Sequence, residues 1–244
     1  MRVLVTGGGK RLGAAIVRAV AAAGHRPVIH YGRSRDAAEA LAAEVNGVTV
    51  QGDLGDTASL PALFERAVVA AGGAIEGLVN SASSFEEDRA DAIDPALAAR
   101  LYAINCTAPA MLAAALAGQG VEGAVVNLLD QKLANPNPDY FSYSCAKFAL
   151  AGATTMLAQA LAPRVRVNAI SPGLTLKSGD QSDEEFAAVA RANLLERPVG
   201  AEAIADAVVY LLGANSVTGQ NLFVDCGQRF IRSRRDVMFE ARRG

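Results

Sequence analysis

The chain has 244 residues, 51% of them hydrophobic and 20% charged, which is enough to bury one sizeable core. A net charge of −2 offers no excess of cations to a polyphosphate backbone and argues against a nucleic-acid binder. Cys106, Cys145 and Cys226 stand far apart without a C-x-x-C, and there are only two histidines, so neither a disulfide scaffold nor a metal cluster is expected.

Arg18 interrupts the longest early apolar run, so no run is expected to reach the roughly 18 residues of a membrane span. The opening M-R-V-L-V-T-G enters a strand directly, without the pattern of a signal peptide. The expectation is a cytoplasmic protein with no membrane partner.

Val3 to Thr6 reads as a short buried strand, Gly7-Gly8-Gly9 as a tight turn, and Leu12 to Ala23 as an amphipathic helix stopped by Gly24. A strand, a glycine turn and a helix N-terminus together present unpaired N–H groups to an anion. Lys10 is not followed by Ser or Thr, so the P-loop spelling fails and a dinucleotide pyrophosphate is the better occupant. Pro27 to Tyr31 forms the second strand and ends at Gly32-Arg33-Ser34. An acidic residue there would hydrogen-bond adenosine ribose hydroxyls. A guanidinium and a hydroxyl instead, with Lys10 and Arg11 nearby, complement a 2′-phosphate and favour NADP over NAD.

A helix over Asp36 to Val45 and a strand over Gly47 to Gln51 follow, then Asp53, placed to meet an adenine amino group. Thr57 to Ala71 is a helix opened by Asp56 or Thr57 as its cap, and Ile75 to Asn80 is the fourth strand. The small residues Ser81 to Ser84 let a flat ring approach the backbone, and Phe85 serves either as core or as a stacking platform. Asp94 to Ala117 holds a long helix bent at Pro109, with Asn105 inside it, where Asn is unfavourable unless it has a specific hydrogen-bonding task.

The strand Ala124 to Leu129 delivers Asp130, and Tyr143 and Lys147 sit four residues apart at the start of the helix that runs to Leu161. That spacing stacks phenol and ammonium on one face. A cation beside a phenol of pKa roughly 10 lowers it and makes Tyr143 a usable general acid, although Y-x-x-x-K alone is common by chance. Arg164 to Ile170 is a strand turned by Ser171-Pro172-Gly173, Thr175 to Gly200 has the profile of a lid, and Ala201 to Leu212 and Asn221 to Val224 are the last helix and strand. Regular alternation without a linker predicts one doubly wound parallel α/β sheet spanning the chain.

Thr6-Gly7 through Gly13, Asp53, Asn80-Ser81-Ala82, Asn105, Tyr143-Ser144-Cys145-Ala146-Lys147, Pro172-Gly173 and Thr218-Gly219-Gln220 with Val224-Asp225 occur in the order and register of the short-chain dehydrogenases/reductases, which the chain resembles to about Gln228. The resemblance implies a seven-stranded Rossmann sheet, NAD(P), hydride transfer and usually a homotetramer. It makes Tyr143 the proton donor, Lys147 the group that lowers its pKa and binds the nicotinamide ribose, and Asn105 the support of a proton-relay water. It also implies cofactor contacts at Gly7, Leu12, Gly13, Tyr31, Ser34, Leu54, Asn80, Ala82, Ser83, Pro172, Gly173 and Thr175.

Two departures narrow the resemblance. Arg11 replaces the middle glycine of the first turn, and Asp130 stands where a catalytic serine is usual, 13 residues before Tyr143. With Asn80 through Phe85 and His30 through Ser34, these look like the pteridine reductase branch. By that likeness, Phe85 and the nicotinamide would sandwich a pterin ring. Arg11 and Ser83 would touch cofactor phosphate and substrate, Asp130 and Tyr143 would meet the pterin edge, and Leu174 would touch the substrate.

The chemistry points the same way. Reducing a ketone builds an oxyanion that a carboxylate repels, whereas reducing a C=N bond needs a proton on nitrogen, which a carboxyl can hold. The expected activity is NADPH-dependent reduction of a dihydropterin, with dihydrofolate a further candidate. A carbonyl reductase such as a 3-oxoacyl-carrier-protein reductase is the alternative, and a non-catalytic NADP-binding scaffold the second alternative. The basic, partly apolar tail 229–244 departs from the family and is expected to pack on a neighbouring subunit.

Overall fold

The computed structural model describes residues 1–177, 182–236 and 239. Its centre is a parallel seven-stranded sheet in the order β3-β2-β1-β4-β5-β6-β7. The strands are β1 (Arg2–Thr6), β2 (Arg26–Tyr31), β3 (Val48–Gln51), β4 (Gly77–Asn80), β5 (Gly123–Leu128), β6 (Val165–Pro172) and β7 (Asn221–Val224), each within about three residues of its predicted range. Short apolar runs such as Val3-Leu4-Val5 become central parallel strands because helices cover both faces.

One face carries α1 (Arg11–Ala22), α2 (Arg35–Val45) and α8 (Ala201–Gly213), with Ile16, Val17, Leu41, Ile204 and Val208 in its core. The other carries α3 (Leu60–Ala71), α5 (Ala108–Gly118) and α6 (Phe141–Leu161), around Leu63, Phe64, Leu112, Leu116 and Ala158. The remaining helices are α4 (Pro95–Tyr102) and α7 (Asp183–Ala190). The expected lid therefore contains α7, while its residues 178–181 lie outside the described residues, as do 237–238 and 240–244 of the tail.

Three local expectations change. The Thr57–Ala71 helix begins as a 3₁₀ turn, Thr57–Ser59, before α3, and Asp56 makes no capping bond. Pro61 explains the division, since proline is accommodated in the first turn of a helix and not in its middle. The long helix is broken at Ala103–Thr107, a π-helical turn containing Asn105, and Pro109 sits in the first turn of α5 instead of at a bend. The segment Pro95–Gly118 is also long and apolar enough by composition to cross a membrane, contrary to the expectation that no run is, but Leu101, Ile104, Leu112 and Leu116 bury one side of it in the core.

The chain winds outward from β1 to β3 and then returns to place β4 on the other side of β1, which opens a crevice at the carboxyl ends of β1 and β4. Thr6 Oγ1 accepts from the Ser81 and Ala82 amides at 3.0 and 3.1 Å, fixing the two strand ends together. His30 spans the same edge. Burial lowers its pKa to about 4, so the ring is neutral, with Nδ1 accepting from the Gly7 amide and Nε2 donating to the Gly52 carbonyl, each at 3.2 Å. Gly7 takes φ +62°, and a Cβ on Gly13 would stand 2.2 Å from the Gly7 carbonyl oxygen. Gly13→Ala is therefore expected to push α1 off the turn and lower stability by about 1–3 kcal/mol, measured by urea denaturation.

Candidate functional site

Asp130 leaves β5 in extended conformation and turns at once into a 3₁₀ segment, Gln131–Leu133, accepting the Lys132 amide on Oδ1 at 2.9 Å. That bond holds the carboxyl back toward α6, where the Tyr143 hydroxyl donates to Asp130 Oδ2 at 2.8 Å. Lys147, one turn further along α6, donates to the Leu128 carbonyl at 2.7 Å and lies 5.6 Å from the Tyr143 ring centre. The i, i+4 spacing thus does place phenol and ammonium together.

The electrostatics differ from the expectation. Burial, and next the Asp130 carboxylate, push the Tyr143 phenol well above 10. Lys147 does not pull it down, because burial lowers the ammonium itself to about 8 and its proton is directed at a carbonyl. Burial also raises Asp130, against the bonds from the Lys132 amide and Tyr143 that favour its charged form. Asp130 is thus a carboxyl held above its usual range and bonded to the phenol.

These groups line a cleft of about 280 Å³. Arg11, Leu12, Ser83, Phe85, Pro172, Gly173, Leu174 and Thr175 line it too, as the sequence led one to expect. Phe85 is 37% exposed; Tyr140 stacks against it at 3.9 Å, and Tyr143 meets it edge-on at 4.8 Å. Arg11 takes φ +54°, a conformation uncommon for a branch-bearing residue, and donates across the cleft to the Lys177 carbonyl. Leu174 is fixed by its amide donating to Gln228 Oε1 at 2.7 Å, and Thr175 donates back to Gly173 at 2.8 Å.

Other predicted residues stand behind or beside the cleft. Asn105 is fully buried, with Nδ2 donating to Ser84 and Leu101 carbonyls at 2.9 and 3.0 Å and Oδ1 accepting from Ser83 Oγ at 2.7 Å. Its side chain ties down the segment that carries Phe85. Asn80 Nδ2 donates to Asn127 Oδ1 at 2.8 Å, and Asn127 in turn donates to Thr154 of α6 at 2.9 Å, so a polar chain links β4, β5 and the helix bearing Tyr143. Gly7, Gly13 and Ala82 form the crevice floor, where a Cβ on Gly7 would meet Ala82 at 2.9 Å.

Lys10 and Arg33 are exposed and Ser34 is half-buried at the outer end of this crevice. Tyr31 is instead buried in the core, with Arg35 5.9 Å from its ring centre, and Leu54 is likewise a core residue. Neither offers its side chain to a ligand. Asp53 bends its carboxylate back to accept the Gly55 amide at 2.8 Å.

A dinucleotide suits this edge by its donor set. The α1 N-terminus has no side-chain cap and no acidic residue in its first turn, which leaves its amides open to an anion, and the neighbouring cations and hydroxyl suit a terminal phosphate.

Sequence reasoning missed several members of the site. Tyr140 caps α6 in a left-handed conformation, φ +53°, and stacks on Phe85. Lys132 is buried, Gln228 lines the cleft from the end of the family-like region, and Asp236 lines it from beyond that region. The described part of the tail packs on its own chain: Arg235 pairs with Asp139 at 2.7 Å, the Asp236 amide donates to Asp139 at 2.7 Å, and Asn135 donates to the Ile231 carbonyl at 2.7 Å. The run Arg232-Ser233-Arg234-Arg235-Asp236, three cations followed by one acid, was the sequence signal.

A family model described as enoyl-(acyl carrier protein) reductase matches residues 9–229. Pteridine reductase 1 of Leishmania tarentolae is 34% identical, with 94% of this chain and 96% of that protein covered. Dihydromonapterin reductase of Enterobacter sp. (strain 638) is 25% identical over 93% and 95%. The crystal structure of FolM alternative dihydrofolate reductase 1 from Brucella canis complexed with NADP superposes with a TM-score of 0.91 at 40% identity, covering 96% of each chain. With the sheet order, the glycine turn and the Tyr143–Lys147 pair in the same register, the chain belongs to the short-chain dehydrogenase/reductase family.

Proposed function

We propose that the protein is an NADPH-dependent reductase of a dihydropterin C=N bond, with dihydromonapterin, dihydrobiopterin and dihydrofolate types as candidate substrates. The observation that carries this reading is the 2.8 Å hydrogen bond between the Tyr143 hydroxyl and the half-buried Asp130 carboxyl on the cleft wall. The pteridine reductase, dihydromonapterin reductase and NADP-bound FolM relatives support it.

Bound NADPH supplies the hydride. Gly7, Gly13 and the α1 amides would hold its pyrophosphate; Arg33, Ser34, Lys10 and Arg11 would hold the 2′-phosphate end; and Lys147 would face the nicotinamide ribose. Phe85 uses its remaining face to stack the substrate ring, with Ser83, Arg11 and Leu174 around it. Protonated Asp130 donates to Tyr143 Oη as the phenol donates its own proton to the ring nitrogen, so the phenol never carries the charge that its surroundings disfavour. Once ionised, Asp130 would repel the oxyanion formed from a ketone, which weighs against the carbonyl reductase reading above the pH at which the carboxyl loses its proton. A homotetramer acting in the cytoplasm is part of the same proposal; exposed Tyr102, Phe148 and Met156 on α4–α6, and Leu222 and Phe230 near β7, are two apolar patches suited to subunit contacts.

Because the donor is a carboxyl with raised pKa, kcat for pterin reduction is expected to fall as pH rises through that value, and Asp130→Ser should remove this limb. The same substitution should lower pterin turnover about 100-fold while carbonyl reduction holds or rises, in parallel NADPH-oxidation assays with dihydrobiopterin and an acetoacetyl substrate. Tyr143→Phe should cut kcat by about 100-fold or more with NADPH affinity nearly unchanged by fluorescence titration. Retained turnover would place the donor elsewhere. Arg33→Asp should move the NADPH/NADH preference in kcat/KM toward NADH by about tenfold, and an unchanged ratio would remove Arg33 from the phosphate site.

A further inference from the structure

We propose that Asp236, brought to the cleft by the C-terminal segment of the same chain, is a positioning residue that acts through Lys132 to set the orientation and protonation of Asp130. The proposal rests on the reading of Asp130 as the proton-holding group of the site.

Three observations carry it. Asp236 and Lys132 both line the cleft with Asp130, and both are buried, at 8% and 4% exposure. Lys132 Nζ meets Asp236 Oδ2 at 3.3 Å and donates to the Asp139 carbonyl at 2.8 Å. The Lys132 amide is the donor to Asp130 Oδ1, at 2.9 Å, so the residue that receives the tail is also the one that aims the carboxyl at Tyr143.

The tail is anchored independently of that pair. Arg235 and the Asp236 amide both bind the Asp139 carboxylate, and Phe239 stacks at 5.9 Å on Tyr140, which itself stacks on Phe85. Asp236 therefore reaches the cleft on a held backbone.

Asp130 is faced by Tyr143 and Lys147 from α6, by Lys132 from its own turn and by Asp236 from the tail. Around the Lys132–Asp236 pair stand Asp139 and Arg235, and Arg235 feels Glu87 and Arg89. The Asp236 charge favours the protonated form of Asp130 and the Lys132 charge favours the ionised form. With both present they oppose one another, and the burial of Asp130 is left to decide.

The opposition gives the test a sign that general loosening of the site cannot copy. In full-length protein labelled with ¹³C in aspartate carboxyls, with Asp130→Asn to assign the resonance, Asp236→Asn leaves Lys132 unopposed and moves the Asp130 midpoint down by about half a pH unit or more. Lys132→Met moves it up, the double variant Lys132→Met/Asp236→Asn returns it toward wild type, and Asp236→Glu keeps it. The alkaline limb of kcat with dihydrobiopterin follows the same order. Unmoved midpoints, or shifts of the same direction in both single variants, overturn the proposal. If one single variant does not fold, the sign of the other against the double variant still decides. Wild-type protein that reduces no pterin would sink the functional reading, while the carboxyl titration would still decide the role of Asp236.

Discussion

The hydrogen bond between Tyr143 and Asp130 is the constraint around which the site is arranged. Two oxygen acids share a proton 2.8 Å apart where neither can ionise cheaply. Burial penalises both anions, and an anion on one raises the other, so a proton is retained between them over a range in which an exposed carboxyl would have lost it. A serine in place of Asp130 would leave a neutral donor pair suited to a forming alkoxide. The carboxyl gives the same scaffold a proton reservoir from which a ring nitrogen could draw.

Holding that bond requires two elements distant in sequence to keep a fixed offset. β5 supplies Asp130 and α6 supplies Tyr143, and the Asn80–Asn127–Thr154 chain crosses from β4 through β5 into α6 beneath them. Such a chain inside an apolar core is stabilising only in one register, since a slip strands buried amides at a cost of roughly 1–3 kcal/mol each. Asn105 performs a similar task for the Ser83–Ser84 segment, and its π-helical turn follows from the need to direct the side chain at Ser83, Ser84 and Leu101 together. His30 closes the other flank by bonding Gly7 to Gly52. The reacting residues are few, and the polar residues that hold their spacing are more numerous.

The architecture was legible in the sequence because each strand and helix is bounded by its own signals: apolar runs of four to six residues, and glycines such as Gly24 and Gly72 that take positive φ at helix ends. The identities of Asp130, Tyr143, Lys147, Phe85 and Arg11 were legible as well, from spacing and from motifs in order. The direction of the Tyr143 pKa was not, because linear spacing reveals the ammonium four residues away but neither the depth of burial nor a carboxyl contact made across 13 positions. The π turn escaped because no local propensity encodes it; only the tertiary partners of Asn105 demand it. The return of the tail escaped for a like reason, since Asp139 and Lys132 read as ordinary polar loop residues until residues 235 and 236 are placed against them.

Charge balance explains why so unusual a grouping is tolerated. Lys132 and Asp236 form an ion pair at 3.3 Å beside Asp130, and Lys147 donates to the Leu128 carbonyl, so each of these ionisable groups around the cleft has a hydrogen-bond partner. Removing one member of such a buried set exposes its partner to the full desolvation cost, which for a buried pair is about 3–5 kcal/mol. A proton passed between Asp130 and Tyr143 leaves the Lys132–Asp236 ion pair in place. In the proposed reduction of a C=N bond a proton would be drawn from that point, and the Asp236 and Lys132 charges, which act on Asp130 in opposite directions, would determine how readily it recovers one. On that reading the acid is inseparable from the charges around it, including one carried by the C-terminal segment.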